Sequence, residues 1–204
     1  MIAVLDYGIG NLRSAEKALQ HVGGDARLVT TAEEAAEADA VVLPGVGAFG
    51  ACMDALRSSG LDEAAHRAVA DGRPFLGICV GMQLLYDGSD EDPAAAGLGI
   101  LPGRIRLLPD AVKRPQMQWN VLRMAKADDP LVQDLGADPW VYWVHSYSAE
   151  PAGAEQVIAT CDYGGDVVGV VGRDNLWATQ FHPEKSGPGG LQLLRNFVRI
   201  VQAA

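Results

Sequence analysis

Apolar positions follow one rhythm in the first half of the chain and another in the second. Early on, short unbroken runs (Ile2-Ala3-Val4-Leu5, Ala40-Val41-Val42-Leu43 and Phe75 to Cys79) alternate with stretches of helical spacing. An unbroken run of that length reads as a parallel strand buried on both faces. Leu12, Ala15, Leu19 and Val22 share a helix face that Gly23-Gly24 ends, and Ala26 to Thr30 reads as a further short strand. Helices are predicted over about 51–58 and 61–70, and Met82 to Tyr86 as the first turns of another. After residue 100 the pattern turns to alternation. Arg104 to Leu107, Trp119 to Leu122 and Val141 to Tyr147 read as antiparallel strands. Ile158 to Cys161 and Val167 to Val171, split by Gly164-Gly165-Asp166, read as a hairpin. Leu176 to Phe181 is one more strand, and Leu191, Leu194, Phe197, Val198 and Val201 face one side of a closing helix after Gly187-Pro188-Gly189-Gly190. Asp87 to Ala96 is polar and acidic, hence a surface loop, and Asp128 to Pro139 is linker-like with room for a short turn. The pattern predicts an α/β fold: a mostly parallel central sheet with helices on both faces and antiparallel strands added in the C-terminal half, in a single domain over 1–204.

Charge and composition narrow the function classes. A net charge of −10 over 204 residues disfavours a nucleic-acid or anionic-membrane partner. No apolar run approaches membrane-spanning length, and Met1 to Leu5 lacks the basic region of a signal peptide, so a cytoplasmic setting is expected. Three widely spaced cysteines make neither a disulfide framework nor a metal cluster, and no cofactor is expected. The opening strand followed by Gly8-Ile9-Gly10-Asn11 invites a dinucleotide-binding reading. That reading fails where its third glycine should stand, at Arg13, and where no acid ends the next strand.

Candidate chemistry begins at Gly77-Ile78-Cys79-Val80-Gly81. Glycines on both sides of a cysteine at a strand-to-helix turn are what a nucleophile elbow needs, because the turn leaves no room for neighbouring Cβ atoms. The helix behind the sulfur points its N-terminus at it, which favours negative charge there. A buried cysteine in a tight turn has the same local pattern, so the stretch alone supports both readings. Pro44-Gly45-Val46-Gly47-Ala48-Phe49-Gly50 follows a buried strand. It is either a flexible loop or a concavity of backbone N–H groups able to hold an oxyanion. A cysteine nucleophile needs a base and the base an orienting group. His21 and His66 sit in helix-like segments and read as solvent-facing. His145 lies inside a β-prone run. His182 follows a strand, and Pro183 biases it to extended backbone, which would put Glu184 on the same side as the imidazole. Cys52 and Cys161 have no such frame, read as bystanders, and are expected to accept serine.

With the Cys79 elbow, His182-Pro183-Glu184-Lys185 makes the chain resemble the class I (triad) glutamine amidotransferases. Asp6 to Ser14, Pro44 to Phe49 and Val144-His145-Ser146-Tyr147 are similar to the branch of that family that serves histidine biosynthesis, over essentially the whole chain. The resemblance implies that L-glutamine is hydrolysed to glutamate and ammonia, with Cys79 as nucleophile, His182 as base and Glu184 orienting it. The Val80 N–H, with Val46 or Gly47, is implied as the oxyanion hole. Gln83 and the backbone of His145, Ser146 and Tyr147 are implied to hold the substrate's amino-acid end. Ammonia would pass to a (β/α)₈-barrel cyclase subunit in a heterodimer. Asn11, Arg13, Trp119, Asn120, Tyr142 and Lys185 are candidates for the partner face. One departure is Gln118, where the family has glycine in a Met-Gly-Trp-Asn stretch. Other glutaminase subunits, a cysteine peptidase or acyl hydrolase of related fold, and a silent scaffold remain as alternatives.

Overall fold

The computed structural model describes residues 1–204. Its elements run β1 (Ile2–Leu5), α1 (Leu12–His21), β2 (Ala26–Val29), α2 (Ala32–Ala36), β3 (Ala40–Gly45), α3 (Phe49–Ser58), α4 (Leu61–Ala70), β4 (Phe75–Cys79) and α5 (Val80–Gln83) in the first half. The second half contains β5 (Gly103–Leu107), β6 (Gln116–Val121), β7 (Arg123–Met124), β8 (Trp140–His145), β9 (Tyr147–Pro151), β10 (Val157–Asp162), β11 (Asp166–Arg173), β12 (Leu176–Thr179) and α6 (Gly187–Ala203). Eight strands form the central sheet in the order β2-β1-β3-β4-β12-β11-β10-β7. The pairs from β2 through β12 are parallel, and β11, β10 and β7 add antiparallel strands at one side.

The unbroken apolar runs became the middle of this sheet. Every residue of β1, β3, β4 and β12 is buried. Helices cover them on both faces, with α1 packed on α6 and α4 packed on α2 and α3. Strands that alternate in sequence pair off the main sheet, β5 with β9 and β6 with β8. The predicted Val141–Tyr147 run is therefore two strands. It breaks at Ser146, where the chain leaves β6 for β5, and that break carries part of the site.

Other expectations shift for local reasons. The helix after Cys79 is a single turn rather than a run through Tyr86. Backbone N–H groups of Leu98, Leu101 and Gly99 take the carbonyls of Leu84, Leu85 and Tyr86, so the helical ladder cannot continue. The last predicted strand stops at Thr179, whose hydroxyl bonds the Phe181 carbonyl. Gly187 to Gly190 lie inside the final helix, with Pro188 in its first turn, where a missing N–H is harmless. Helix α2 was not predicted at all. Its signal was present as a capping box: Thr31 Oγ1 accepts from Glu34 N at 3.2 Å, and Glu34 reaches back to Thr30 N at 2.9 Å.

Candidate active site

The parallel strands β3, β4 and β12 end together, and the chemistry sits at their carboxyl ends. Cys79 closes β4 with φ 57° and ψ −113°, a conformation that side-chain-bearing residues adopt only under compulsion, at about 1–3 kcal/mol. The compulsion comes from its glycines. A Cβ at Gly81 would overlap the Leu43 carbonyl, and one at Gly77 would lie 3.1 Å from Ala178 Cβ. The sulfur is thereby lifted to the sheet's end, though α5 behind it is one turn long, so its dipole adds less than the sequence suggested.

His182 lies just past β12, the strand next to β4, and lines the same cavity as Cys79, whose thiol is close enough to act on its titration. Its Nδ1 is 2.7 Å from Glu184 Oε1, which leaves Nε2 for the sulfur. The two residues meet for a different reason than extended backbone. Pro183–Lys185 is a 3₁₀ turn, and that turn swings Glu184 back under the imidazole. Burial works against a charge on His182, but its bonds to Cys79 and Glu184 outweigh it and raise the imidazole to about 9. Burial likewise disfavours the Glu184 carboxylate, yet the His182 and Asn11 contacts hold it below its ordinary value.

Asn11 Nδ2 donates to the same Glu184 oxygen at 3.0 Å. Asparagine at a helix N-cap normally accepts from the helix's own N–H groups. Here Asn11 stands at the N-cap of α1 and makes no such bond. Its amide is committed to a carboxylate far along the chain, so it belongs to the site as well as to the proposed partner face.

A cavity of about 330 Å³ opens above the sulfur, lined among others by Val46, Gly47, Val80, Gln83 and Glu91, with Val144 to Tyr147 as the opposite wall. All seven expected oxyanion and substrate positions therefore border one space: Val46, Gly47, Val80, Gln83, His145, Ser146 and Tyr147. The loop supplying Val46 is shorter than predicted, since Pro44 and Gly45 belong to β3 and Phe49-Gly50 to α3. Gln83 donates to the Tyr147 carbonyl at 3.1 Å and to Gln180 Oε1 at 3.2 Å, tying the elbow to that wall.

His145 is not a second base. Its Nδ1 lies 2.8 Å from the Tyr147 carbonyl and its Nε2 3.0 Å from the Gln116 amide, with no carboxylate in reach. Burial lowers it to about 4, so the ring is neutral. A neutral ring has one N–H, and both neighbours are oxygens, the Tyr147 carbonyl and Gln116 Oε1, so the ring donates to one of them at a time. The bond to Tyr147 O stiffens the turn at Ser146 between β8 and β9.

Glu91 is the functional candidate that sequence reasoning missed. It was placed in a generic acidic loop, yet it lines the cavity while its Oε2 accepts from Phe49 N at 2.8 Å. Nothing in its spacing from Cys79 announces this, because the loop is pinned by Ser89 and by backbone bonds to Ile105. Cys52 is fully buried, and its thiol donates to the Val46 carbonyl at 3.1 Å. Cys161 is buried against Gln116, with burial pushing its thiol up to about 11, away from the cavity lining. His21 and His66 are exposed as expected.

Of the partner-face candidates, Lys185 is exposed and lines the cavity. Arg13 is exposed and pairs with Glu16 at 3.0 Å. Trp119 is 48% exposed and its ring lies 6.0 Å from that of half-buried Tyr142. Asn120 is turned to the Asp162 carbonyl at 2.9 Å, an intramolecular duty. Met117 and Trp140, on the same β6–β8 pair, are 64% and 56% exposed and extend the apolar surface. Gln118 lies exposed beside Trp119, away from the triad.

Comparison with known proteins agrees with this geometry. Residues 3–201 match the family described as glutamine amidotransferase class-I. The chain is 51% identical to the imidazole glycerol phosphate synthase subunit HisH of Synechococcus elongatus, over 100% of this chain and 94% of that protein. It is 46% identical to the HisH subunit of Methanothermobacter thermautotrophicus, with both chains covered in full at 100%. Among solved structures, a glutamine amidotransferase crystal structure superposes with a TM-score of 0.78 at 21% identity, covering 98% of each chain. PurLQS from Thermotoga maritima gives 0.77 at 20% identity, covering 98% of this chain and 97% of that one.

Proposed function

The chain belongs to the class-I glutamine amidotransferases and, within them, to the HisH subunits of imidazole glycerol phosphate synthase, and from that premise we propose how its residues carry out the reaction. As such a subunit it is a glutaminase of histidine biosynthesis. Cys79 is the nucleophile: its sulfur attacks the side-chain amide carbon of L-glutamine, and His182 takes the thiol proton. The tetrahedral oxyanion is held by the Val80 N–H and by a donor from the Val46–Gly47 turn. Collapse forms the glutamyl thioester as His182 returns its proton to the departing ammonia. Water, activated by the same imidazole, then releases glutamate. Glu184 and Asn11 keep Nε2 of His182 aimed at the sulfur. The observation that carries this reading is the Cys79–His182–Glu184 line, with its 2.7 Å ion pair buried under the cavity.

The substrate's amino-acid end lies against Gln83 and the backbone of His145, Ser146 and Tyr147. Glu91 is the carboxylate of that wall and suits the α-ammonium. Ammonia passes to a (β/α)₈-barrel cyclase subunit in a heterodimer. The exposed Met117, Trp119 and Trp140, with Tyr142, Arg13, Asn11 and Lys185, form the docking face, since aromatic and long basic side chains are the usual anchors of interfaces. No helix is long and apolar enough to cross a membrane. An ammonia assay on glutamine, with and without the cyclase and its nucleotide ligand, tests the reading. Low release by the chain alone and a rise by orders of magnitude with the cyclase are expected. Full release unaffected by the cyclase would return the chain to the stand-alone hydrolases.

A further inference from the structure

Three buried polar side chains stand in line behind the substrate wall. His145, Gln116 and Cys161 come from β8, β6 and β10, and Gln116 lies directly across from His145 in the β6–β8 ladder. All three are buried, Gln116 and Cys161 wholly so. The His145 ring is 2.8 Å from the Tyr147 carbonyl through Nδ1 and 3.0 Å from the Gln116 amide through Nε2. The other end of that amide is 3.5 Å from Cys161 Sγ.

Counting hydrogens decides how the line is connected. The neutral ring has one N–H to give. A bare Nδ1 would meet the Tyr147 oxygen lone pair to lone pair, at a distance that only a donor and an acceptor tolerate. Nδ1 therefore carries the proton and the carbonyl accepts it, with a second bond to that carbonyl coming from Gln83 at 3.1 Å. Nε2 is then bare and needs a donor, and the Gln116 amide is the group at hydrogen-bond distance. Gln116 stands with Oε1 toward the ring and Nε2 toward the sulfur, an orientation that would claim the ring's N–H for itself. The two ends of an amide have nearly the same shape, so a half-turn about its last bond exchanges them with the heavy-atom positions kept. With its NH₂ toward His145, the amide turns its oxygen to Cys161, whose S–H donates to it. Burial pushes that thiol up to about 11, so it keeps its hydrogen at neutral pH.

We propose that Cys161 and Gln116 are positioning residues of the substrate wall: the Cys161 thiol orients the Gln116 amide, whose NH₂ holds His145 in the Nδ1–H tautomer and so keeps its N–H on the Tyr147 carbonyl. Each bond in the line then has one donor and one acceptor. A thiol outside the cavity lining thereby acts on the wall through two intervening side chains. The inference deepens the glutaminase reading and rests on it for the kinetic consequence, whereas the tautomer stands independently of it.

NMR of the full chain labelled with ¹⁵N-histidine reads the tautomer directly, because protonated and bare ring nitrogens resonate far apart. His145→Gln identifies the His145 signals. The wild-type spectrum should show Nδ1 protonated and Nε2 bare. Gln116→Glu, which offers no N–H, should put a proton on Nε2. Cys161→Ala should give a mixture of tautomers. In the complex with the cyclase it should also raise KM for glutamine about threefold, with kcat within about twofold. Cys161→Ser, which keeps a donor, should restore both readings. Thermal unfolding checks that each variant is folded. A wild-type ring protonated at Nε2 would overturn the proposal without any variant. So would a bare Nε2 in Gln116→Glu, a Cys161→Ala chain with wild-type tautomer or KM, or a serine variant no better than alanine. Absence of ammonia release by the wild-type complex would overturn the glutaminase reading and leave the tautomer result in place.

Discussion

Two histidines lie close to the same cavity, both almost wholly buried, and their surroundings send them in opposite directions. His182 is raised to about 9 and His145 lowered to about 4. Burial pushes both downward, so burial does not distinguish them. What differs is the company each keeps. His182 has a carboxylate at 2.7 Å on one nitrogen and the titratable Cys79 thiol nearby. His145 has a backbone carbonyl and a neutral amide. An ionisable partner on each side makes a proton carrier, whereas two neutral partners make a structural pin. The roles proposed for them, a base on one strand end and a binding wall on another, rest on that contrast.

The largest expected effect breaks the comparison at its centre. His182→Ala should lower glutamine turnover by at least about 10³, because both the thiol's activation and the leaving group's proton are lost. His145→Ala should lower it by about tenfold or less, mainly through KM, as the Ser146 turn relaxes. Steady-state glutaminase kinetics of the two variants, side by side in the complex, check this. Equal losses in kcat would erase the distinction.

A smaller effect sharpens the comparison through pH. His182 binds its proton more tightly folded than unfolded, from an ordinary 6.5 to about 9. Its contribution to stability is therefore complete below about 6.5 and is lost as pH rises through 9. Glu184 is lowered, so its contribution is present above its ordinary 4.5 and is lost as pH falls through its folded value. Glu184→Gln should thus destabilise the chain by about 2–3 kcal/mol near pH 5–6.5 and by less above pH 9. Denaturant unfolding across that range reads the difference. A loss that grows with alkalinity would contradict the sign.

The smallest effect concerns a charge beside the triad but outside it. Lys185 follows Glu184 directly and lines the cavity, exposed, without an ion-pair partner in the chain. Lys185→Ala should leave the fold and the His182 titration in place while reducing the ratio of cyclase-stimulated to free glutaminase rates. Ammonia release with and without the cyclase measures that ratio, and an unchanged ratio would remove Lys185 from the partner face.

Much of this contrast was legible in the chain. The elbow was readable because its glycines serve one backbone conformation, visible as Gly77 and Gly81 around Cys79. The parallel sheet was readable because strands buried on both faces have no polar alternation. His182 and Glu184 were paired correctly but for the wrong local geometry, since Pro183 starts a 3₁₀ turn as readily as it ends a strand. Asn11, Glu91 and Cys52 were beyond reach in their present roles. Each acts through a contact set by tertiary packing: an N-cap residue turned to Glu184, a loop acid pinned over α3, and a thiol on a carbonyl. No local pattern encodes such contacts. The broken strand at Ser146 was hidden because β propensity runs unbroken from Val141 to Tyr147 while the partner strand changes.

The most direct measurement of the central claim supplies the Cys79→Ala chain, assembled with its cyclase, with either glutamine or an ammonium salt as nitrogen source. If Cys79 with His182 and Glu184 is the glutamine-cleaving centre and the cyclase chemistry lies elsewhere, glutamine-dependent synthesis disappears while ammonia-dependent synthesis continues close to the wild-type rate. Continued synthesis from glutamine by the Cys79→Ala complex would contradict the account.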